Sequence, residues 1–216
     1  MGFTEDMRDW NYTLRCQAAV KALEKNHFIS VYCADKKTAI DYILQEANEA
    51  QTIGFGGSRS VADLEINAKL AEMGKELLDH NQPGLELEDR IKVMRHQLTC
   101  DLFLASANAV SLTGMVLNID GNGNRVASTI FGPKKVILVV GRNKLVNTVE
   151  DGLKRIKAYA APLAAKRLNI EVPCAKTGFC SDCNSPGRIC TATVILERKP
   201  RLSDVRVLVV NEELGF

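Results

Sequence analysis

Four short apolar runs, FISVYC (28–33), TIGFG (52–56), DLFLAS (101–106) and KKVILVV (134–140), most constrain what this chain can fold into. Each is rich in β-branched or aromatic residues and too short for a helix, so each is predicted as a strand. Between them lie helical patterns at 5–26, 35–47, 60–79 and 86–98. In the first, Leu14, Ala18 and Ala22 recur at helical spacing, and Asp35 caps the second. Strands alternating with helices predict an α/β fold, an open and mainly parallel sheet with helices on both faces and the four runs as neighbouring central strands. Two later runs, TATVILE and VRVLVV, add further strands. Thr148 and Asp151 form a capping box for a helix over 147–168, within which Pro162 marks a break. No repeat or linker divides the 216 residues, so one domain over 1–216 is expected, including a cysteine loop at 171–192.

The segment MVLNID-GNG-NRVASTI reads as a β-hairpin around Gly121-Asn122-Gly123, because Gly and Asn accept positive φ at little cost. Asn118, Asp120, Asn122, Asn124 and Arg125 crowd this hairpin with polar groups, which turn chemistry accounts for, with a direct ligand role for Asn118 or Asp120 as the alternative.

The glycine turn Gly54-Phe55-Gly56-Gly57-Ser58-Arg59 joins a predicted strand to a helix, for which Ser60 and Asp63 form a second capping box. Such a turn lets backbone N–H groups approach an anion closely, and Arg59 adds a bidentate donor. It matches neither the P-loop nor the dinucleotide fingerprint. Residues after buried strands line the crevice of an open sheet, which adds Asn108 and Thr113, together with Lys144 at the end of 134–140. The expected occupant is a small anion bearing phosphate or carboxylate. The histidines His27, His80 and His96 stand near no serine or cysteine in a nucleophilic arrangement.

The seven cysteines are unevenly placed. Cys16, Cys33 and Cys100 stand alone in predicted elements, whereas Cys174, Cys180, Cys183 and Cys190 crowd one glycine- and proline-bearing loop. Four thiolates in so short a loop suit a [4Fe–4S] cluster, with structural zinc and metal-free thiols as the alternatives. Charge argues against nucleic acid: net charge is +2 and the 28 Lys and Arg are scattered. The longest apolar run, 136–141, falls far short of the roughly 20 residues of a membrane span, and no signal peptide is visible, so a cytoplasmic location is expected.

Four stretches together resemble the LUD-domain, or lactate-utilisation, family: GFGGSRSVADLEI, SANAVSLTGMVLNIDGNGNRVA, FGPKKVILVVGRNKLV and PCAKTGFCSDCNSPGRIC. The last is similar to the tail of a short, stand-alone subgroup. The resemblance implies a fold similar to that of sugar-phosphate isomerases and coenzyme A transferases. It also implies membership of iron–sulfur systems that oxidise lactate, with a redox protein partner. It carries Gly56, Gly57 and Ser58 onto the glycine turn, Thr113 and Gly114 onto a small-residue loop, and Asn143 and Lys144 onto the strand-end motif. Ser111 and Leu112 stand where many relatives have an acid, so no catalytic residue is assigned. The alternatives are an isomerase or CoA-transfer-like enzyme with structural zinc, and a metal-stabilised ligand sensor without catalysis.

Overall fold

Strand Lys135–Gly141 owes its place at the centre of the molecule to an apolar run buried on both faces. The computed structural model describes residues 3–216, apart from the side chains of residues 3 and 5. Ten strands are found among them: β1 (Ile29–Cys33), β2 (Thr52–Phe55), β3 (Glu76–Leu78), β4 (Leu102–Ala105), β5 (Ala109–Ser111), β6 (Val116–Asp120), β7 (Lys135–Gly141), β8 (Leu145–Val146), β9 (Ala192–Leu196) and β10 (Asp204–Val210). The main sheet runs β1-β10-β7-β4-β2-β3, and every pairing in it is parallel. A second sheet, β8-β5-β6-β9, is mixed.

Side-chain alternation along the strands divides the core into two layers. Phe103 and Ala105 of β4, Val136, Leu138 and Val140 of β7, and Val205, Val207 and Val209 of β10 face one side. There they meet Cys16, Ala19 and Leu23 of helix α1 (Phe3–Lys25) and Val110, Val116 and Leu196 of the second sheet. Their neighbours Leu102, Leu104, Ile137, Val139, Leu208 and Val210 face the other side. That layer is closed by α2 (Lys36–Ala47), α3 (Arg59–Ala62) and α4 (Asn67–Glu72). The remaining helices are α5 (Leu87–His96), α6 (Asn124–Ile130), α7 (Val149–Arg155), α8 (Ala161–Arg167) and α9 (Pro173–Thr177), with a single π-helical turn, Ile156–Ala160, between α7 and α8.

The α/β class, the parallel sheet and the four predicted strands agree with this architecture. So do the Asp35 cap, which accepts from the Thr38 amide, and the Thr148–Asp151 capping box. Five details differ. The four strands are not all neighbours, because β10 lies between β1 and β7 and leaves β1 at the sheet edge. The hairpin at 121–123 does not form: β6 pairs with β5 and β9, and NRVASTI is helix α6. Tertiary contacts override its β-branched composition, since Asp120 Oδ2 accepts from the Val126 amide at 3.1 Å and Val126, Ser128 and Thr129 are buried. The predicted helix over 60–79 breaks at Glu65, whose φ is 51°, and ends as strand β3. Ser58, not Ser60, caps α3, accepting from the Val61 amide at 3.4 Å. Helix α1 buries Cys16, Ala19 and Leu23, while Leu14 is exposed.

Candidate functional site

Three adjacent parallel strands, β2, β4 and β7, end on one side of the sheet, and their carboxyl-terminal loops line a crevice of about 560 Å³. Strand β2 contributes Gly56, Gly57, Ser58 and Arg59, β4 contributes Ser106 and Asn108, and the segment after β7 contributes Lys144. Gly57 has φ +67°, in the region that favours glycine, and a Cβ there would come within 3.4 Å of Asn81 and His80. The Gly56 amide donates to Leu104 O at 2.9 Å, whereas the Gly57 and Ser58 amides make no hydrogen bond among the described residues. Arg59 pairs with Asp63 at 2.7 Å.

Arg125 braces the wall. Its two terminal nitrogens donate to Ser106 O (3.1 Å), Ile119 O (2.8 Å), Asn108 Oδ1 (3.2 Å) and Asn118 Oδ1. Asn108 and Asn118 are thereby drawn into the frame: Asn118 Oδ1 also accepts from the Asn108 amide, and Asn108 Oδ1 from the Ile119 amide. Arg90, Arg167 and Arg188 add positive charge to the lining. The carboxylate that lines the crevice, Asp120, already accepts from the Gly121 and Val126 amides. The lining is therefore strongly cationic and suited to an anion.

His80 is buried beside Gly57. The Gln97 amide nitrogen lies 3.0 Å from His80 Nδ1 and also donates to Phe55 O and Leu78 O. Burial lowers the His80 pKa, which keeps the ring neutral beside Gly57.

Lys144 is 3% exposed, and its Nζ donates to Ser60 Oγ at 2.7 Å and Ser106 Oγ at 3.0 Å. Burial, followed by the nearby Arg155 and Arg125, pushes its pKa down to about 7 against the opposing pull of Asp63.

The cysteine loop abuts this crevice. Cys174, Cys180, Cys183 and Cys190 line one small cavity with Val172, Ala161 and Lys157. Burial raises the Cys174 and Cys190 thiols, and the charges of the other loop cysteines raise them further, whereas the Ser185 amide and hydroxyl lower Cys183. Arg188 knits the loop, donating from Nε to Cys190 O at 2.8 Å, from Nη1 to Cys183 O and from Nη2 to Asp182 at 2.9 Å. Among the described residues, no three His, Cys, Asp or Glu side chains lie close enough to hold a single metal ion. In donor chemistry, four thiols around one cavity fit a tetrathiolate group. Ala161, Arg188, Ile189 and Cys190 line both this cavity and the crevice.

The sequence model of the LUD domain matches residues 16–210, which take in the crevice and all four loop cysteines. The chain belongs to the LUD-domain family. In fold, this LUD domain is similar to the crystal structure of a DUF162 family protein from Deinococcus radiodurans, with 17% identity and a TM-score of 0.50 over 92% of this chain and 98% of that one. No curated protein matches it.

The LUD domain gathers only some of the residues singled out from its sequence. Gly56, Gly57, Ser58, Arg59, Asn108 and Lys144 meet in the crevice. Thr113 and Gly114 do not: they lie against the end of α1, where Asn26 Nδ2 donates to both of their carbonyls. A Cβ on Gly114, at φ +81°, would overlap the Ala22 carbonyl, so this glycine serves the close approach of helix and sheet. Asn143 faces the C-terminal residues, accepting from the Leu214 amide at 3.1 Å and donating to Gly215 O at 3.2 Å. Cys16, Cys33 and Cys100 are buried apart from the cysteine loop, and burial raises their pKa values to about 11, 12 and 11. Sequence reasoning missed His80, Arg90, Arg167 and Arg188 as parts of the crevice. Of these only Arg188 carried a local signal, its place inside the cysteine loop. No helix among the described residues is long and apolar enough to cross a membrane.

Proposed function

We propose that this LUD domain is a lactate-utilisation-type redox or accessory component that holds a small anionic ligand in the crevice and one metal group, a [4Fe–4S] cluster, on Cys174, Cys180, Cys183 and Cys190. The observation that carries this reading is the shared wall: Arg188, Ile189 and Cys190 line both the cationic crevice and the cysteine cavity. Family membership supports the lactate-utilisation assignment. The ligand carries a phosphate, a carboxylate or a coenzyme A moiety. The free amides of Gly57 and Ser58 and the arginines receive its charge.

When bound, the cluster supplies one-electron chemistry at a site within reach of the ligand. The chain's own residues hold the anion, and Arg188 fixes the backbone between Cys183 and Cys190. No flavin or nicotinamide fingerprint occurs in the sequence, so a redox protein partner takes the electrons.

The test is metal and sulfide analysis of anaerobically purified protein, with a visible spectrum before and after reduction. Iron, acid-labile sulfide and an absorption that bleaches on reduction are expected. Cys183→Ala should remove the metal, while Cys33→Ala keeps it. Colourless protein with stoichiometric zinc would overturn the redox role, and protein free of metal would overturn the metal site.

A further inference from the structure

Lys144 is a buried lysine whose amine has, among the described residues, only hydroxyl partners. Each of those hydroxyls has a single hydrogen, and each spends it elsewhere. Ser60 Oγ donates to the Leu214 carbonyl at 3.0 Å, and Ser106 Oγ to the Ala107 carbonyl at 3.1 Å. Both serines are therefore acceptors toward the amine. A neutral amine that gives one hydrogen to each has none left, and its remaining tetrahedral direction holds the lone pair. Lys144 is part of the crevice wall, so its amine borders whatever the crevice holds.

Two further features point to chemistry beyond anion contact. A lysine meant to attract an anion gains from staying charged, yet Lys144 is withdrawn from water and crowded by the guanidinium groups of Arg155 and Arg125, which with burial bring its pKa to about 7. The anion-attracting role is already open to Arg90 and Arg167 in the same lining, whereas Arg59 and Arg188 pair with Asp63 and Asp182. A neutral amine ringed by fixed cations is the arrangement that attacks a carbonyl on a negatively charged molecule.

We propose that Lys144 is an amine nucleophile that condenses with the carbonyl of a small 2-oxo acid held in the crevice, whose carboxylate faces the arginines. The inference rests on the anion-binding reading of the crevice and names its ligand class. In the step, the Nζ lone pair adds to the carbonyl carbon, and the C=O π pair moves to oxygen, which takes a proton. The resulting carbinolamine loses water as its C–O bond breaks and the nitrogen pair forms C=N. Amine, ketone and one proton thus give a protonated imine and water, with no change of oxidation state. Hydrolysis reverses it. Ser60 and Ser106 are positioning residues here, because they hold the amine by its hydrogens and leave the lone pair free.

The experiment incubates the full chain near neutral pH with pyruvate as probe and cyanoborohydride as trap, followed by intact mass and peptide mapping. Expected is a single adduct on Lys144, formed on the order of a hundredfold faster than on the average of the other lysines. Mapping the unaltered chain identifies the residue without any variant that might fail to fold. Acetone, a neutral ketone, should label Lys144 at least about tenfold more slowly, a difference of roughly 1.4 kcal/mol. Adducts spread evenly over surface lysines overturn the nucleophile, and equal labelling by acetone overturns the anionic substrate. Oxalate, a dianion without a ketone, separates the two levels. Oxalate binding without any pyruvate adduct overturns Lys144 alone, whereas failure of both also removes the anion-binding crevice.

Discussion

Arg188 Nε donates to the carbonyl of Cys190 at 2.8 Å, which ties a guanidinium of the crevice wall to the backbone of a loop cysteine. Arg188→Ala leaves the carbonyls of Cys183 and Cys190 without that donor, and only water can replace it. The expected result is faster amide exchange across residues 180–190 and metal content reduced by at least half, with the unfolding midpoint of the main sheet unchanged. Arg188→Lys restores the charge but not the fork of donors, so it should recover little of the metal. Metal analysis and hydrogen exchange on the three proteins check this.

Gly57→Val tests the glycine turn. A β-branched residue at φ +67° is strained by about 1–2 kcal/mol, and its side chain would crowd Asn81 and His80. Phosphate or oxalate affinity, read by calorimetry, should fall at least tenfold while the circular dichroism spectrum is kept.

Gly114→Ala should behave in the opposite way. Its Cβ would overlap the Ala22 carbonyl, and the overpacking should cost about 3 kcal/mol in a denaturant titration. Anion affinity of the folded fraction should stay as it was, because Gly114 lies away from the crevice.

Asp101 gives stability a defined acid limit. Lys134 and the Thr52 and Gln51 amides hold its carboxyl well below the usual carboxylate range. A lowered folded-state pKa means stability that is present above the unfolded value near 3.9 and lost as pH falls toward the folded value. Asp101→Asn should therefore cost about 1–3 kcal/mol at pH 7, where two backbone amides lose a charged acceptor. The gap between the two proteins should narrow steadily below about pH 4.

Lys144 gives the reverse dependence. Its folded-state pKa lies below the unfolded value of about 10.4, so the unfolded chain binds more protons between pH 7 and 10 and stability rises with pH over that window. Measured against Lys144→Met, which does not titrate, the wild-type chain should gain at least about 1 kcal/mol from pH 7 to pH 10. Arg155, Arg125 and Asp63 are the charged groups acting on the amine.

Legibility followed the range of the interactions. Strands β2, β4 and β7 announce themselves by apolar runs, and Asp35 and Thr148 cap their helices through bonds to residues three places on, so local pattern was enough. The segment NRVASTI was misread because its strand-like composition answers to local propensity, while its helix is held by Asp120 and by burial. Ser60 looked like a cap because Asp63 follows it. Its hydroxyl instead meets Leu214 and Lys144, partners far along the chain that no local spacing encodes. The convergence of the crevice arginines was illegible for the same reason: Arg90, Arg125, Arg167 and Arg188 come together only once α5, α6, α8 and the cysteine loop have packed.

The wall common to the crevice and the cysteine cavity has a thermodynamic consequence. Under the proposed function two guests would share Arg188 and Cys190, and an occupant that stiffens or displaces this wall would change the free energy of the other. The effect is equal in both directions, so the factor by which metal loading alters anion affinity is the factor by which the anion alters metal affinity. Reciprocal titrations would measure one number twice.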